Sequence, residues 1–130
     1  MCDWSRAAFA AFCRVMSIES YLMKSAHPLT RALYFNRWIH EIDDLKVKTA
    51  ETFQELDWLE REIEGSAFTA VDCMMVPLVK SLQRASLKSG ASNVGLLPFP
   101  LQTRWPRIAA RLAEIEALEG YERTYPPHWR

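Results

Sequence analysis

Gly65-Ser66-Ala67-Phe68-Thr69-Ala70-Val71-Asp72-Cys73 is the stretch of sequence that decides the fold, because it predicts where a long helix begins. Thr69 can accept a hydrogen bond from the Asp72 backbone N–H, and the Asp72 side chain can accept one from the Thr69 N–H, which makes an N-capping box. Phe68 and Cys73 occupy the two positions of a hydrophobic staple. We expect Thr69→Ala to cost about 1 kcal/mol of stability through the lost cap, and Asp72→Ala a similar amount.

The helix that starts here is predicted to run from Thr69 to about Ser86 and to be buried on most sides. Its apolar residues lie nearly all round it: Val71, Met74, Met75, Leu78, Val79 and Leu82. Pro77 lies too deep for the first turn, so it should kink the helix and leave the Cys73 carbonyl without its usual donor. We interpret this element as the central helix.

Two helices are predicted before the central one. The first begins at Asp3, which suits an N-cap, and ends where Pro28 interrupts its apolar face. After a short link over residues 28–35, the second begins near Asn36 and continues to Gly65. Its other face is predicted to be solvated because it carries a run of acidic residues: Glu51, Glu55, Asp57, Glu60, Glu62 and Glu64.

A loop, a fourth helix and a tail are predicted after the central helix. Residues 88–100 form the longest loop because they are rich in Ser, Gly, Asn and Pro. Pro106 suits the first turn of the fourth helix, which Gly120 ends or turns. The tail over residues 121–130 contains two adjacent prolines and is expected to be extended. Residues 1–130 are thus predicted to form one all-α domain.

Charge and cysteine content restrict the classes of function. Sixteen basic and sixteen acidic residues cancel, so we predict neither a nucleic acid nor a membrane as partner. Three widely spaced cysteines favour free thiols in a reducing compartment over a disulfide framework. The N-terminus lacks the apolar run of a signal peptide, and no run is long enough to span a membrane. We therefore expect a cytoplasmic protein.

His40, Asp44 and Cys13 are the residues with potential metal or thiol chemistry. His40 and Asp44 have the i, i+4 spacing of two metal ligands, but no second His or Cys pair accompanies them. A solvent-facing charged cluster is therefore preferred, and no metal site is predicted. No cation is evident near Cys13 to lower its pKa, so we interpret it as a buried, inert thiol. The sequence predicts no catalytic residues.

Three arginines, Arg104, Arg107 and Arg111, form a basic stripe on the fourth helix. Such a stripe can bind a phosphate or carboxylate group. Because the same helix carries Glu114 and Glu116, an ordinary exposed face is the alternative.

One protein family has the same types of residue, in the same order, as five positions of this chain: Gly65, Phe68, Thr69, Asp72 and Pro77. These positions resemble the all-α C-terminal domain of cytosolic glutathione S-transferases, in which a helix with an internal proline follows the capping box.

The last part of the chain extends this resemblance. Trp105-Pro106-Arg107-Ile108 looks like the start of the family's next helix, and residues 122–130 look like a bacterial C-terminal tail. Glu119 departs from the pattern, which has proline there. The resemblance covers the chain from about Glu51 onward and implies an orthogonal bundle of four to six helices.

The family's catalytic half has no counterpart in this sequence. In the family, a thioredoxin-like domain precedes the helical one, binds glutathione and activates its thiol. Met1 falls about where the linker between the two halves would end. The resemblance therefore implies no cofactor for this chain alone, with glutathione bound only if a thioredoxin-like partner is present. Whether the protein is an enzyme stays open, since activity is expected only with that partner.

The resulting hypothesis is a glutathione S-transferase C-terminal-like domain that binds apolar small molecules or a protein partner. Phe9, Phe12 and Met16 on the first helix are the predicted binding residues. The apolar surface of that helix should be covered by a second copy, giving a homo-oligomer, or by another protein. One alternative is a fragment or subunit of a complete transferase that conjugates glutathione to apolar electrophiles. Another is an interaction module of the kind found in translation complexes, with the acidic face of the second helix as its surface.

Overall fold

The computed structural model describes residues 5–63 and 68–127. Within these ranges the chain forms five α-helices of 11 to 21 residues, one four-residue α-helix and no β-strand. The predicted all-α class is therefore confirmed. In the same two ranges, no helix combines the length and apolar character that crossing a bilayer requires.

The α-helices in chain order are α1 (Arg6–Ser17), α2 (Met23–Tyr34), α3 (Ile42–Glu62), α4 (Ala70–Ala85), α5 (Leu101–Arg104) and α6 (Pro106–Glu116). A π-helical turn, Ile18–Leu22, joins α1 to α2, and short 3-10 helices cover Trp38–Glu41 and Tyr121–Thr124. Helix α4 contributes eight buried residues, more than any other described helix, and packs against α1 and α2. It is the central element that the sequence predicts.

The capping box at the start of α4 is complete. The Thr69 N–H donates to Asp72 Oδ2 at 2.8 Å, and Thr69 Oγ1 accepts from the first-turn amides, including that of Val71 at 3.2 Å. Helix α4 ends at Ala85, and Ser86 is its C-cap. Both ends agree with the predicted span of 69–86.

Thr69→Ala is expected to lower the free energy of unfolding by about 1 kcal/mol, because the first turn of α4 loses its side-chain acceptor. Thr69→Ser keeps that acceptor and should retain most of the stability. Urea denaturation of the three proteins provides the measurement. Equal stability of the alanine variant and the natural chain would refute the capping role.

The first predicted helix is wrong at both ends. Ser5, and not Asp3, caps α1, since the Ala8 N–H donates to Ser5 Oγ at 3.2 Å, while Asp3 lies outside the described residues. Pro28 does not end the helical segment, which continues as α2 to Tyr34. The Pro28 side chain is exposed, and burial of neighbouring residues such as Leu29 offsets the missing hydrogen bond.

The chain turns at residues 35–37 instead of over the predicted link at 28–35. Asn36 adopts a left-handed conformation there, with φ of 56°, which asparagine tolerates better than most residues. Helix α3 then begins at Ile42 after the 3-10 turn, six residues later than predicted. Residues 88–100 form the predicted loop, and it enters the core because Val94 and Leu96 are fully buried.

Glu60 on the acidic side of α3 caps helix α6. Its two carboxylate oxygens accept from the backbone N–H groups of Arg107 and Ile108, each at 2.8 Å. Pro106 occupies the first position of α6, where its missing N–H is harmless. Glu60 thus supplies the anion that a helix N-terminus favours, from a residue 47 positions earlier in the chain.

Asp57, one turn before Glu60, binds the segment that precedes α6. It accepts two hydrogen bonds from the Arg104 guanidinium, at 2.9 and 2.7 Å, and one from Trp105 Nε1 at 2.7 Å. Because Arg104 donates to its charged form, the pKa of Asp57 lies below its ordinary value. The prediction of a wholly solvated acidic face is therefore wrong at Asp57 and Glu60, and Glu64 lies outside the described residues.

The three arginines of the predicted stripe bind groups within the chain. Arg104 pairs with Asp57, and Arg107 donates to the backbone carbonyls of Glu60, Arg61 and Ile63 at the end of α3. Arg111 is buried and forms an ion pair with Asp72. The interpretation of an ordinary exposed face is therefore wrong at the buried Arg111, and the carboxylates that Arg104 and Arg111 bind are those of Asp57 and Asp72 within the chain.

The tail is not extended where the structure describes it. Helix α6 ends at Glu116, and Gly120 follows with φ of 83°, a conformation that favours glycine. The chain then forms the 3-10 helix Tyr121–Thr124, and residues 128–130 lie outside the described ranges. This turn brings two tyrosines back toward α4.

Candidate functional site

An apolar groove of about 610 Å³ lies between the first half of α4 and the segment that follows α6. We call it the α4–α6 groove. Its main apolar walls are Cys73, Val76, Pro77, Ile115, Leu118 and Tyr121. Apolar clefts of about 300–1,000 Å³ with few polar groups are typical sites for small molecules. The groove is therefore the candidate binding site.

Helix α4 shapes one wall of the groove through Pro77. The proline ring faces outward from the helix because its side chain is exposed, while Val76 beside it is buried. Proline has no N–H, so the Cys73 carbonyl lacks the donor that residue 77 would otherwise supply. This wall therefore combines an apolar ring with a backbone acceptor that the helix does not use in its regular pattern.

Two tyrosines form the opposite wall. The rings of Tyr121 and Tyr125 meet edge to face, with centroids 5.2 Å apart. Burial raises the pKa of Tyr121 to about 12, and its hydrogen bond with Tyr125 adds to the effect. Tyr121 is therefore a neutral phenol over the physiological pH range.

The charged groups at the groove are paired. Lys80 Nζ lies 2.6 Å from Glu116 Oε1, so this ion pair joins α4 to α6 at the rim. The buried carboxylate of Asp72 is paired with Arg111. The electrostatics of the groove therefore suit an uncharged ligand better than an anion or a cation.

The residues that the sequence predicts as binding residues lie elsewhere. Phe9, Phe12 and Met16 are exposed on α1, and none of them lines the α4–α6 groove. Cys13 on the same helix is exposed, so the prediction of a buried thiol is wrong.

The capping-box and staple residues do line the groove. Thr69 and Asp72 lie at one end of it, together with Phe68 and Cys73. The Phe68 ring is half-exposed, and the Arg111 guanidinium carbon lies 5.6 Å from its centroid. The residues predicted to cap and staple the start of α4 thus also line the candidate site.

His40 and Asp44 are both exposed, at the junction of the 3-10 turn with α3. Among the residues described, no group of three or more His, Cys, Asp or Glu side chains is arranged to hold a metal ion.

Comparisons of this chain with protein-family models, with curated proteins and with solved structures give no match.

Proposed function

We propose that this chain is a helical binding domain of the glutathione S-transferase C-terminal type, without a glutathione site of its own. Its ligand is an uncharged, apolar small molecule held in the α4–α6 groove. The observation that carries the proposal is the groove of about 610 Å³, whose walls are mainly apolar and whose charged groups are paired. The family assignment is supported by the capping box of α4, its internal Pro77 and Pro106 at the start of α6.

The tyrosine pair narrows the ligand class. A flat aromatic ligand can pack against Tyr121 or Tyr125, because aromatic rings pair favourably at centroid distances of about 4.5–7 Å. Because the Tyr121 O–H already donates to Tyr125, the Tyr121 oxygen can accept one hydrogen bond from such a ligand. A charged group on the ligand would lose hydration without gaining an unpaired counter-charge. We therefore favour uncharged aromatic compounds.

Leu118→Asp is expected to weaken the binding of the uncharged dye Nile red at least about tenfold, because it places a carboxylate in the apolar wall. Leu97→Asp is a matched control, since both leucines are 45% exposed and Leu97 does not line the groove. Fluorescence titration gives the affinities, and melting temperatures check that both variants fold. Equal affinities of the two variants would rule out the groove as the dye site.

The exposed face of α1 favours a second function, the binding of another protein chain. No described residue of α1 is buried, yet Phe9, Phe12 and Met16 present apolar surface on it. Such contiguous surface tends to be covered by a partner, and a second copy of this chain is the simplest one. Homo-oligomerisation through α1 is therefore our second proposal.

Phe9→Asp is expected to shift the chain from an oligomer to a monomer of 15.1 kDa, because it places a charge in the proposed contact. Light scattering coupled to size-exclusion chromatography measures the mass. Val47→Asp is the control, because Val47 is exposed to a similar degree on α3. A monomeric natural chain at all accessible concentrations would contradict self-association.

The transferase alternative places a thioredoxin-like domain against this same face of α1. It predicts conjugation of glutathione to apolar electrophiles only when that domain is present, because thiol activation and positioning reside there. Calorimetric titration with glutathione tests whether the glutathione site lies on the thioredoxin-like domain and not on this chain. Saturable binding to this chain alone would contradict the proposed absence of a glutathione site.

A further inference from the structure

A second, polar site lies beside the π-helical turn, on a part of the molecule that the α4–α6 groove does not include. Two cavities of about 340 and 290 Å³ lie between this turn and α3, and both are lined by Tyr21 and Glu55. Because they share these residues, the two cavities are neighbours, and we call them together the π-turn site. It has no residue in common with the groove.

The π-helical turn explains why Tyr21 is available to a ligand. Ile18 and Leu22 of this turn are buried and hold it in the core, while the Tyr21 side chain between them is 62% exposed. Single π-helical turns are rare in proteins, and they occur frequently at functional sites. Here the turn directs an aromatic ring outward next to α3.

One end of the π-turn site has the chemistry that binds an organic cation. It is lined by the aromatic residues Tyr21 and Trp58 together with the carboxylate of Glu55. Aromatic faces attract alkylammonium groups, and a carboxylate adds charge attraction. Within residues 5–63 and 68–127, the Glu55 side chain makes no hydrogen bond or ion pair, so its carboxylate is available.

The other end has the chemistry that binds an anion. Lys24 and Lys48 line it, together with the side-chain amide of Gln54. Lys48 Nζ lies 3.4 Å from Glu51 Oε2 and is therefore partly neutralised. In the described part of the chain, Lys24 and Gln54 have no such side-chain partner, which leaves an ammonium and an amide for a ligand.

We propose that the π-turn site binds a small organic zwitterion. Its alkylammonium group lies against Tyr21, Trp58 and Glu55, and its anionic group is bound by Lys24 and Gln54. The two lysines and two glutamates of the site have no net charge, which matches a ligand that carries one charge of each sign. A ligand with a single charge engages only one end and binds more weakly.

Calorimetric titration with glycerophosphocholine, whose phosphodiester carries a single negative charge, tests the proposal. We expect saturable binding. The affinity should be about tenfold weaker for tetramethylammonium, which lacks the anionic group, and about tenfold weaker when the Glu55→Gln variant, which loses the carboxylate charge, is titrated with glycerophosphocholine. Lys24→Gln should lower the affinity for glycerophosphocholine and leave that for tetramethylammonium unchanged. Glu41→Gln and Lys46→Gln are controls, because both residues are exposed outside the site. Melting temperatures verify that every variant is folded.

Two results would overturn the proposal: no saturable binding of glycerophosphocholine, or equal affinities of the folded Glu55→Gln variant and its Glu41→Gln control. Sedimentation with phosphatidylcholine vesicles identifies the source of the ligand. Cosedimentation that Glu55→Gln abolishes supports a lipid headgroup as the zwitterion. Binding of glycerophosphocholine without cosedimentation supports a free small molecule.

Discussion

Asp72→Ala is expected to lower the free energy of unfolding by about 3 kcal/mol, well above the cost of a lost helix cap. The Asp72 carboxylate lies 3.0 Å from Arg111 Nε, and the two side chains are only 9% and 6% exposed. Removing the carboxylate leaves the largely buried Arg111 guanidinium without its ion pair to Asp72. Arg111 also lies 3.3 Å from the exposed Glu114, so we expect the lower end of the range for broken buried pairs. Urea denaturation provides the measurement.

Three further variants separate the ion pair from the cap. Asp72→Asn keeps an acceptor for the Thr69 N–H and loses the charge, so it should be about as unstable as Asp72→Ala if the ion pair dominates. The double variant Asp72→Ala with Arg111→Leu should regain stability, because neither charge of the buried pair remains. Arg104→Ala, which removes a partly exposed pair with Asp57, should cost about 1 kcal/mol. A loss near 1 kcal/mol for Asp72→Ala would mean that only the cap matters.

For Asp72→Ala, the sequence predicts a loss of about 1 kcal/mol from the cap, and the structure predicts about 3 kcal/mol from the buried ion pair. This difference shows which features the sequence could predict. Hydrogen bonds between Thr69 and Asp72 join residues three apart, so the local pattern is sufficient to predict them. The same is true of Pro106 in the first turn of α6. The partner of Asp72 on α6 is 39 residues away, and no local pattern indicates that these two residues meet.

Long-range packing also explains the errors in the predicted helix boundaries. Pro28 is a sound local signal for a helix end, yet α2 continues through it because the tertiary structure buries Leu29 and Leu33. Likewise, the acidic residues of α3 follow the pattern of a solvated face. Asp57 and Glu60 instead accept hydrogen bonds from residues 47 and 48 positions later in the chain. Only folding brings that segment next to α3.

The sequence could not predict the candidate groove, because residues that lie far apart in the chain form its walls. The local pattern predicts a role for Phe68 and Cys73 only as the two residues of a hydrophobic staple. Their groove is completed by Leu118 and Tyr121, which the chain brings back after Gly120. The aromatic residues of the tail were a sequence signal for this wall of the groove. Because the tail was predicted to be extended, its residues were not assigned to a binding site.

Trp105→Ala is expected to lower the free energy of unfolding by about 3–5 kcal/mol, the range for removing a large buried aromatic side chain. Trp105 is fully buried between α3 and α6. Its ring lies 5.0 Å from that of Phe53 and 5.4 Å from that of Phe99, measured between centroids. The alanine variant therefore loses burial and two aromatic contacts, and leaves a cavity beside the residues that hold the start of α6. Urea denaturation monitored by circular dichroism measures the loss.

Trp105→Phe isolates the packing of the ring from its hydrogen bond. Phenylalanine retains much of the contact with Phe53 and Phe99 but cannot donate to Asp57, which still accepts from Arg104. Because Asp57 keeps these partners, the lost hydrogen bond should account for only about 1 kcal/mol, beside a smaller packing loss than in Trp105→Ala. If the two variants were equally unstable, the hydrogen bond to Asp57 would dominate.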